Sequence, residues 1–287
     1  MSGFSTIGEF VDSELNGQTR RYTWRKTPSQ VTTAGLWFDL SMSPGNPRPK
    51  YWFDAPPLIA KQVSQSEDGG IFHGANVTPA QKYLKTFTGM TSTATTLPLP
   101  TIICDYLLYY PSCDDSVTDP QLMDNSVTLP RYTDGDGVQV IAVSVAGRTG
   151  GQSFSFSYTN QDGVSGRTSQ TVFQNSSSAL GTLQASGANT NISAFPFIGL
   201  QAGDRGVRSI ESVTMNGADV GLFTLILVKP LVQHTIKEIT APYEKNYFLE
   251  SSILPAIKDD AYISMLCQPQ GTLASTALIG DMQVVWN

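Results

Sequence analysis

The sequence predicts a mainly β protein, an antiparallel β-sandwich or jelly-roll-like domain with one or two short helices. The segment 153–158 reads Ser-Phe-Ser-Phe-Ser-Tyr, and this period of two is typical of a half-buried antiparallel strand. Asp162-Gly163 then supplies a turn, which predicts a hairpin with its return strand over 167–173. No regular alternation of strands and helices follows residue 100, which argues against a parallel α/β sheet.

A second hairpin is predicted where Asn216-Gly217 separates the β-rich runs 208–215 and 220–228. The run 138–145, VQVIAVSV, suits a central strand because β-branched residues dominate it. The remaining predicted strands are 106–110, 126–129, 236–239, 261–266 and 283–286. Residues 175–178 and 187–191 are polar and predict long exposed loops.

One short helix is predicted at the N-terminus, over residues 5–15, and Asn16-Gly17 closes it. Its apolar residues recur near helical spacing at Phe4, Ile7, Phe10, Val11 and Leu15. A helix that is apolar on one side must bury that side, either on its own domain or on a neighbouring subunit. The sequence leaves both alternatives open.

A second helix is predicted over 79–88. Thr78 and Pro79 fit an N-cap and a first helical position, and Gly89 fits a C-terminal cap. The residues expected on its buried face are Ala80, Tyr83, Leu84 and Phe87.

The composition divides the chain near residue 100. Residues 1–100 are rich in proline and isolated aromatic residues and predict an N-terminal arm or attachment region, whereas residues 101–287 predict the β-sandwich domain. Between them, Leu-Pro-Leu-Pro at 97–100 predicts an extended linker or a strand-like crossing, because proline fixes φ.

The arm supplies the candidate partner-binding residues, because aromatic side chains dominate the binding energy of many interfaces. These candidates are Phe4, Ile7, Phe10, Val11, Trp24, Trp37 and Trp52, with Tyr22 and Tyr51 as further anchors. The alternative is that the same aromatic residues fill the core of their own domain.

Charge excludes several classes of function. Hydrophobic residues make up 40% of the chain and charged residues 15%, and the formal net charge is −6. An acidic chain with no Lys/Arg block has no electrostatic footprint for nucleic acid. No apolar run reaches the roughly 18 residues of a membrane span. The acidic first residues lack the features of a signal peptide, so we expect synthesis in a cytosol.

Reactive residues are few. Cys104, Cys113 and Cys267 predict buried free thiols, with a Cys104–Cys113 disulfide as the alternative. His73 is expected in a loop and His234 on a strand surface or edge, and neither has a metal-ligand or catalytic spacing. Asp-Gly-Asp-Gly at 134–137 predicts a turn, because it lacks the spacing of a calcium loop. We therefore expect no enzymatic activity, no cofactor and no metal.

Four segments resemble structural proteins of tailed bacteriophages: 105–146, 155–166, 203–230 and 271–286. The resemblance implies a non-enzymatic, multi-copy virion component assembled in the host cytoplasm. The role it favours is a head decoration (cement) protein that binds the major capsid protein and itself, as a homo-oligomer such as a trimer. The chain lacks the long helix expected of a tailed-phage major capsid protein, which argues against a shell-forming role.

The alternative function is a tail-fibre or receptor-binding module that recognises carbohydrate through the loops over 175–191. Exposed aromatic platforms are expected near such loops, and the sequence has none between Gln174 and Ala194. A hydrolase on a β scaffold is a third possibility, and no reactive constellation supports it.

Overall fold

The computed structural model describes residues 3–186, 195–251 and 254–287. Within them the protein is mainly β, with antiparallel sheets and two short α-helices, which confirms the predicted fold class. The predicted loop 187–191 lies outside the described residues. In chain order the elements are α1 (Ile7–Leu15), β1 (Thr19–Lys26), β2 (Phe38–Asp39), β3 (Gly45–Asn46), β4 (Lys61–Gln62), β5 (Lys82–Thr91), β6 (Leu99–Asp114), β7 (Gln121–Leu122), β8 (Gln139–Ser144), β9 (Arg148–Thr149), β10 (Ser153–Asn160), β11 (Arg167–Thr168), β12 (Val172–Phe173), β13 (Ser177–Ser178), β14 (Ala185–Ser186), β15 (Val207–Met215), β16 (Leu222–Ile236), β17 (Tyr243–Asn246), α2 (Tyr247–Glu250), β18 (Ala256–Ile257), β19 (Tyr262–Cys267) and β20 (Leu278–Trp286), with 3₁₀ turns at Leu40–Met42 and Ala94–Thr96.

Two long strands, β6 and β16, form the centre of the fold. Their antiparallel ladder runs from Leu222 opposite Asp114 to Ile236 opposite Leu99. At about 3.3 Å per residue, this pairing extends over roughly 50 Å. The central sheet has the order β2-β19-β6-β16-β8, and β4 pairs with β6. Three register shifts interrupt the ladder, and such bulges bend a sheet and increase its twist.

Two further sheets pack on the central sheet. The hairpin sheet, β14-β12-β10-β15-β7 with β11 on β10, shares a hydrophobic core with it that includes Phe156 and Leu225. The terminal sheet, β17-β5-β20-β1-β3 with β18 on β5, shares a second core that includes Trp24 and Ile103. A third cluster, which includes Trp52 and Ile226, joins the central sheet to segments of the proline-rich region.

The division expected at residue 100 falls inside β6, which begins at Leu99. Strands from before that point share sheets with strands from after it: β1 pairs with β20, β2 with β19 and β4 with β6. The segment 97–100 therefore leads into strand β6, which agrees with the predicted strand-like crossing and not with the alternative, an extended linker. The proline-rich region contributes strands to the terminal and central sheets.

Residues 79–88 do not form the predicted helix. Thr78 and Pro79 lie in a turn, and the chain then enters strand β5. The strand lies between β20 on one side and β17 with β18 on the other, so neighbouring strands bond both of its edges. These ladders come from the last part of the chain and override a local apolar spacing that also fits a helix.

The predicted hairpin over 208–228 is also wrong, although both of its strands exist. β15 pairs with β10 and β7 in the hairpin sheet, whereas β16 pairs with β6 and β8 in the central sheet. Val213 of β15 and Leu225 of β16 belong to the same core. The Asn216-Gly217 turn therefore carries the chain from one side of that core to the other, as at the corners of a sandwich.

Other strand predictions have mixed outcomes. The β10 hairpin with β11 and β12, and strands β19 and β20, are confirmed. The strand predicted at 126–129 is irregular, and that at 236–239 is only the end of β16 followed by an isolated bridge. Strand β8 forms, but it is the last strand of the central sheet. It remains buried because the segment beyond it covers its edge, as in the 2.9 Å bond from the Gln184 N–H to the Ala142 carbonyl.

The loop predicted to be exposed at 175–178 is partly buried, because Asn175 and Ser178 join a polar network around Arg148. The Arg148 guanidinium is fully buried and its Nε donates to an Asp115 Oδ2 oxygen at 2.5 Å. Gln174 links the two, since its carbonyl accepts from Arg148 and its amide donates to Asp115 at 2.8 Å. The network fixes connecting segments that have little regular structure.

We expect Arg148→Ala to lower the free energy of unfolding by about 3–5 kcal/mol, because Asp115 would remain buried without its partner. Urea unfolding at pH 7 measures the change. The matched control is Arg205→Ala, which removes an exposed arginine paired with Asp136 at 3.0 Å and should have little effect. Equal losses in the two variants would contradict the importance of the buried network.

Candidate partner-binding surface

Helix α1 forms where the sequence predicts it. The Thr6 hydroxyl accepts from the Glu9 N–H at 3.2 Å, and the Glu9 carboxylate accepts from the Ser5 N–H at 2.6 Å. This reciprocal arrangement is close to a capping box and satisfies backbone donors at the helix start. Asn16 ends the helix, and its N–H donates to the Asp12 carbonyl at 2.8 Å.

The helix docks on its own domain through one aromatic side chain. Phe10 is 5% exposed and stacks on Phe248 of α2, with ring centroids 4.0 Å apart and ring planes 7° apart. Phe4 meets the Phe10 ring edge-on at 5.3 Å. On the neighbouring turn, the Lys85 ammonium of β5 forms an ion pair with Glu14 at 2.6 Å. Through Phe10 and Glu14 the helix therefore docks on its own domain, which is one of the two alternatives that the sequence left open.

The same helix leaves a stripe of large apolar side chains in solvent. Ile7 is 71% exposed, Val11 46% and Leu15 80%. These residues are spaced by four and therefore lie above one another on one face of the helix. We call Ile7, Val11 and Leu15 the helix stripe. Beside it, a shallow groove of about 260 Å³ between α1 and α2 is lined by Phe4, Ile7, Phe10, Phe248 and Leu254, among others.

The three candidate tryptophans do not reach a partner. Trp24, Trp37 and Trp52 are all buried, so they fill the protein's own cores, as the alternative interpretation held. Trp52 stacks on Tyr106 at 5.6 Å, and its indole N–H donates to the Asp39 carboxylate at 2.7 Å. Among the other candidates, Ile7 and Val11 are exposed, Phe4 and Tyr22 are half-buried, Tyr51 is exposed and Phe10 is buried.

His73 lies in a loop, as predicted, but it is buried and fully engaged. Its Nε2 faces the Ala261 carbonyl at 2.8 Å and so carries the proton, which leaves Nδ1 to accept from the Lys82 ammonium at 2.9 Å. Lys82 also donates to the carbonyls of His73 and Ala75, each at 3.0 Å. Burial and the Lys82 charge lower the pKa of His73 to about 4. His73 and Lys82 line a cleft of about 540 Å³. Their hydrogen bonds hold the 73–75 loop in place, so the donors of these two side chains are already used.

The prediction that His234 is a surface or edge residue is wrong. The imidazole is 4% exposed and lies between the ring of Phe87, 5.0 Å away, and the parallel ring of Tyr243, 6.1 Å away. Neither ring nitrogen has a hydrogen-bond partner among the described residues. Burial, and to a lesser extent the charge of Lys245, lower the pKa of His234 to about 4.

The three cysteines are free and buried, as predicted, and the alternative Cys104–Cys113 disulfide is absent. Burial raises the pKa of all three thiols, which disfavours the reactive thiolate. The segment 134–137 lies in two consecutive turns, as predicted, because the Gly135 N–H donates to the Tyr132 carbonyl at 2.7 Å and the Val138 N–H to the Gly135 carbonyl at 3.0 Å. Within the described ranges, no group of three or more His, Cys, Asp or Glu side chains could hold a metal ion.

No family model, curated protein or solved structure matches this chain. In the part of the chain that the structure describes, no helix has the length and apolar character needed to cross a bilayer. Among the candidate residues named from the sequence, Ile7, Val11 and Tyr51 are exposed, and Ile7 and Val11 share the helix stripe.

We expect Phe10→Ala to release α1 from the domain, because the substitution removes the stacked contact with Phe248. In hydrogen exchange measured by mass spectrometry, amides of residues 7–15 should lose at least about tenfold in protection. Val11→Ala is the matched control, since Val11 belongs to the same helix but is half exposed. Unchanged protection in Phe10→Ala would show that other contacts hold the helix.

Proposed function

We propose that this protein is a non-enzymatic structural component of a tailed-phage virion, a decoration (cement) protein that binds the major capsid protein and stabilises the head. The observation that carries the proposal is the helix stripe, a row of exposed apolar side chains on a helix that is itself anchored. The resemblance of four sequence segments to tailed-phage structural proteins supplies the class of particle. The proposal includes contacts between copies of the chain, as in a trimer.

The helix stripe resembles a helix-in-groove recognition element, whose apolar anchors recur every three or four residues along one helix face. Full burial of a Val, Leu or Ile side chain contributes about 1.5–3 kcal/mol. Phe10 and the Glu14–Lys85 ion pair hold α1 in place before a partner arrives. This preorganisation reduces the entropy lost on binding, so a short helix can contribute usefully to attachment.

The charged side chains beside the helix stripe indicate which kind of groove on a partner would fit it. The exposed charged side chains of α1 near the stripe are Glu9 and Asp12, and the last turn of the helix has no basic residue. An apolar groove rimmed by Lys or Arg side chains complements this surface. Two copies of α1 would repel each other through the same acids, so contacts between copies of the chain would use another face.

The buried reactive groups support a structural role. Both histidines and all three thiols lie inside the packed layers, and the neighbours of His73 are structural carbonyls and an ammonium. Low charge also suits a protein that loses solvent on several faces, because unpaired buried charges are costly at interfaces.

Density-gradient separation of the native source material, followed by mass spectrometry, tests the proposal directly. We expect the protein to co-migrate with DNA-filled particles at a copy number comparable to that of the shell protein. A few copies per particle would overturn the head role in favour of the tail or a vertex. Absence from particles would overturn the virion assignment, and glycan-binding and hydrolase screens would follow.

We expect the variant Ile7→Ser, Val11→Ser, Leu15→Ser to bind particles lacking this protein at least about 100-fold more weakly than the wild type, because three apolar anchors are lost. Co-sedimentation measures the binding. Substitutions are cleaner here than a deletion of residues 1–20, since β1 begins at Thr19.

The matched control for this variant is Leu122→Ser with Val220→Ser, which removes two equally exposed apolar side chains far from α1 in sequence. The control should bind like the wild type, and both variants should unfold at the wild-type urea concentration. A stripe variant that still saturates the particles would refute the role of α1.

A further inference from the structure

His234 occupies an apolar slot near the end of β16, opposite Thr101 of β6. Phe87 of β5 covers one side of the imidazole and Tyr243 of β17 covers another. A neutral imidazole carries one donor and one acceptor, and here both are buried without a partner among the described residues. The protonated ring would bury two donors and a full charge in the same slot, which is far less favourable.

The groups around the slot do not compensate such a charge. β5 contributes Phe87 and Gly89, and β6 contributes Thr101. β17 contributes the Tyr243 phenol and the Lys245 ammonium, and Lys245 is the charge that acts on His234. The carboxylate nearest to this lysine, Glu250 of α2, lies 3.7 Å from it and is paired with it. Protonation would therefore place a second cation beside Lys245.

The element that closes this slot also supports the attachment helix. β17 is an edge strand of the terminal sheet and pairs with β5 over four residues, from Tyr243 opposite Gly89 to Asn246 opposite Thr86. It continues directly into α2, where Phe248 stacks on Phe10 of α1. A displacement of β17 would therefore carry α2 with it and remove the Phe10–Phe248 contact, which leaves the contacts of Phe4 with Tyr83 and of Glu14 with Lys85 of β5.

We propose that His234 is an acid-sensitive latch: the neutral imidazole lets β17 and α2 close over it, and its protonation detaches them and loosens α1, which loses its contact with Phe248. The consequence for attachment to a particle rests on the proposed function, whereas the latch itself does not. Because β17 lies at an edge, it can leave while the β6–β16 ladder stays intact.

The direction of the pH effect follows from linkage. The pKa of His234 is about 4 in the closed state and about 6.5, the ordinary value for histidine, once the ring is exposed. The closed state therefore has its full stability above pH 6.5 and loses it as the pH falls from 6.5 towards 4. Within this window, opening is favoured by up to about tenfold per pH unit.

Hydrogen exchange of the full-length protein at pH 7.5 and pH 5.0, corrected for the intrinsic pH dependence of exchange, tests the latch. At pH 5.0 we expect residues 243–250 and 7–15 to lose about tenfold in protection, while the β6–β16 ladder keeps its protection. His234→Phe retains a flat aromatic ring but cannot be protonated, so its protection over 243–250 should not depend on pH. His234→Leu is a second non-titrating variant if the first is unstable.

His73 requires a control because its pKa also lies near 4. Its ring contacts the Ala261 carbonyl and the Lys82 ammonium, not β17, so His73→Gln should leave the acid response of residues 243–250 unchanged. Full protection of 243–250 in the wild type at pH 5.0, or an equal acid response in His234→Phe, would overturn the latch. The exchange measurement needs no particle, so its outcome is independent of whether the protein binds one.

Discussion

The antiparallel pairing of β6 with β16 is the constraint on which the rest of the molecule depends. Residues 101–111 of β6 and 223–228 of β16 are buried without interruption, so both faces of this pair must be covered. Most antiparallel sheets leave one face in solvent and alternate in polarity. Here three parts of the chain cover the central pair: the hairpin sheet, the terminal sheet and the proline-rich segments. Each forms one of the three hydrophobic clusters with the central sheet.

Irregular segments that cover a sheet bury polar groups, and in this structure several of those groups hydrogen-bond to buried charged side chains. The Asp39 carboxylate accepts from Ser41, Trp52 and Tyr106 at 2.6–2.9 Å. Burial raises the pKa of Asp39, and these hydrogen bonds oppose the shift. Asp105 instead forms an ion pair with Arg131, whose Nε donates to it at 2.9 Å. A buried charge without a partner is costly. The segments that cover the sheet must therefore lie where their side chains reach Asp39 and Asp105, which fixes their position.

Sequence patterns predicted the structure where the interacting residues are neighbours along the chain. The β10 hairpin and the end of α1 at Asn16 are of this kind, since each depends on residues a few positions apart. The helix expected over 79–88 failed because the partners of β5 lie in the last part of the chain. For the same reason, nothing in the proline-rich region distinguishes Trp52 as a core residue. Its environment depends on Tyr106 and Asp39, which reach it only in the folded protein.

The face of α1 that docks on the domain also depends on residues distant in the sequence. The sequence predicted a helix with the apolar residues Ile7, Phe10 and Val11. Because all three are apolar, the sequence did not show which of them would face the domain and which a partner. Phe248, from the far end of the chain, selects Phe10 for the interior and so leaves the helix stripe outside. The orientation of α1 is therefore a tertiary property, set by Phe248 of α2 together with Tyr83 and Lys85 of β5. An attachment element held by these contacts is ordered before a partner arrives, and part of that order depends on the four-residue edge strand β17, which leads into α2.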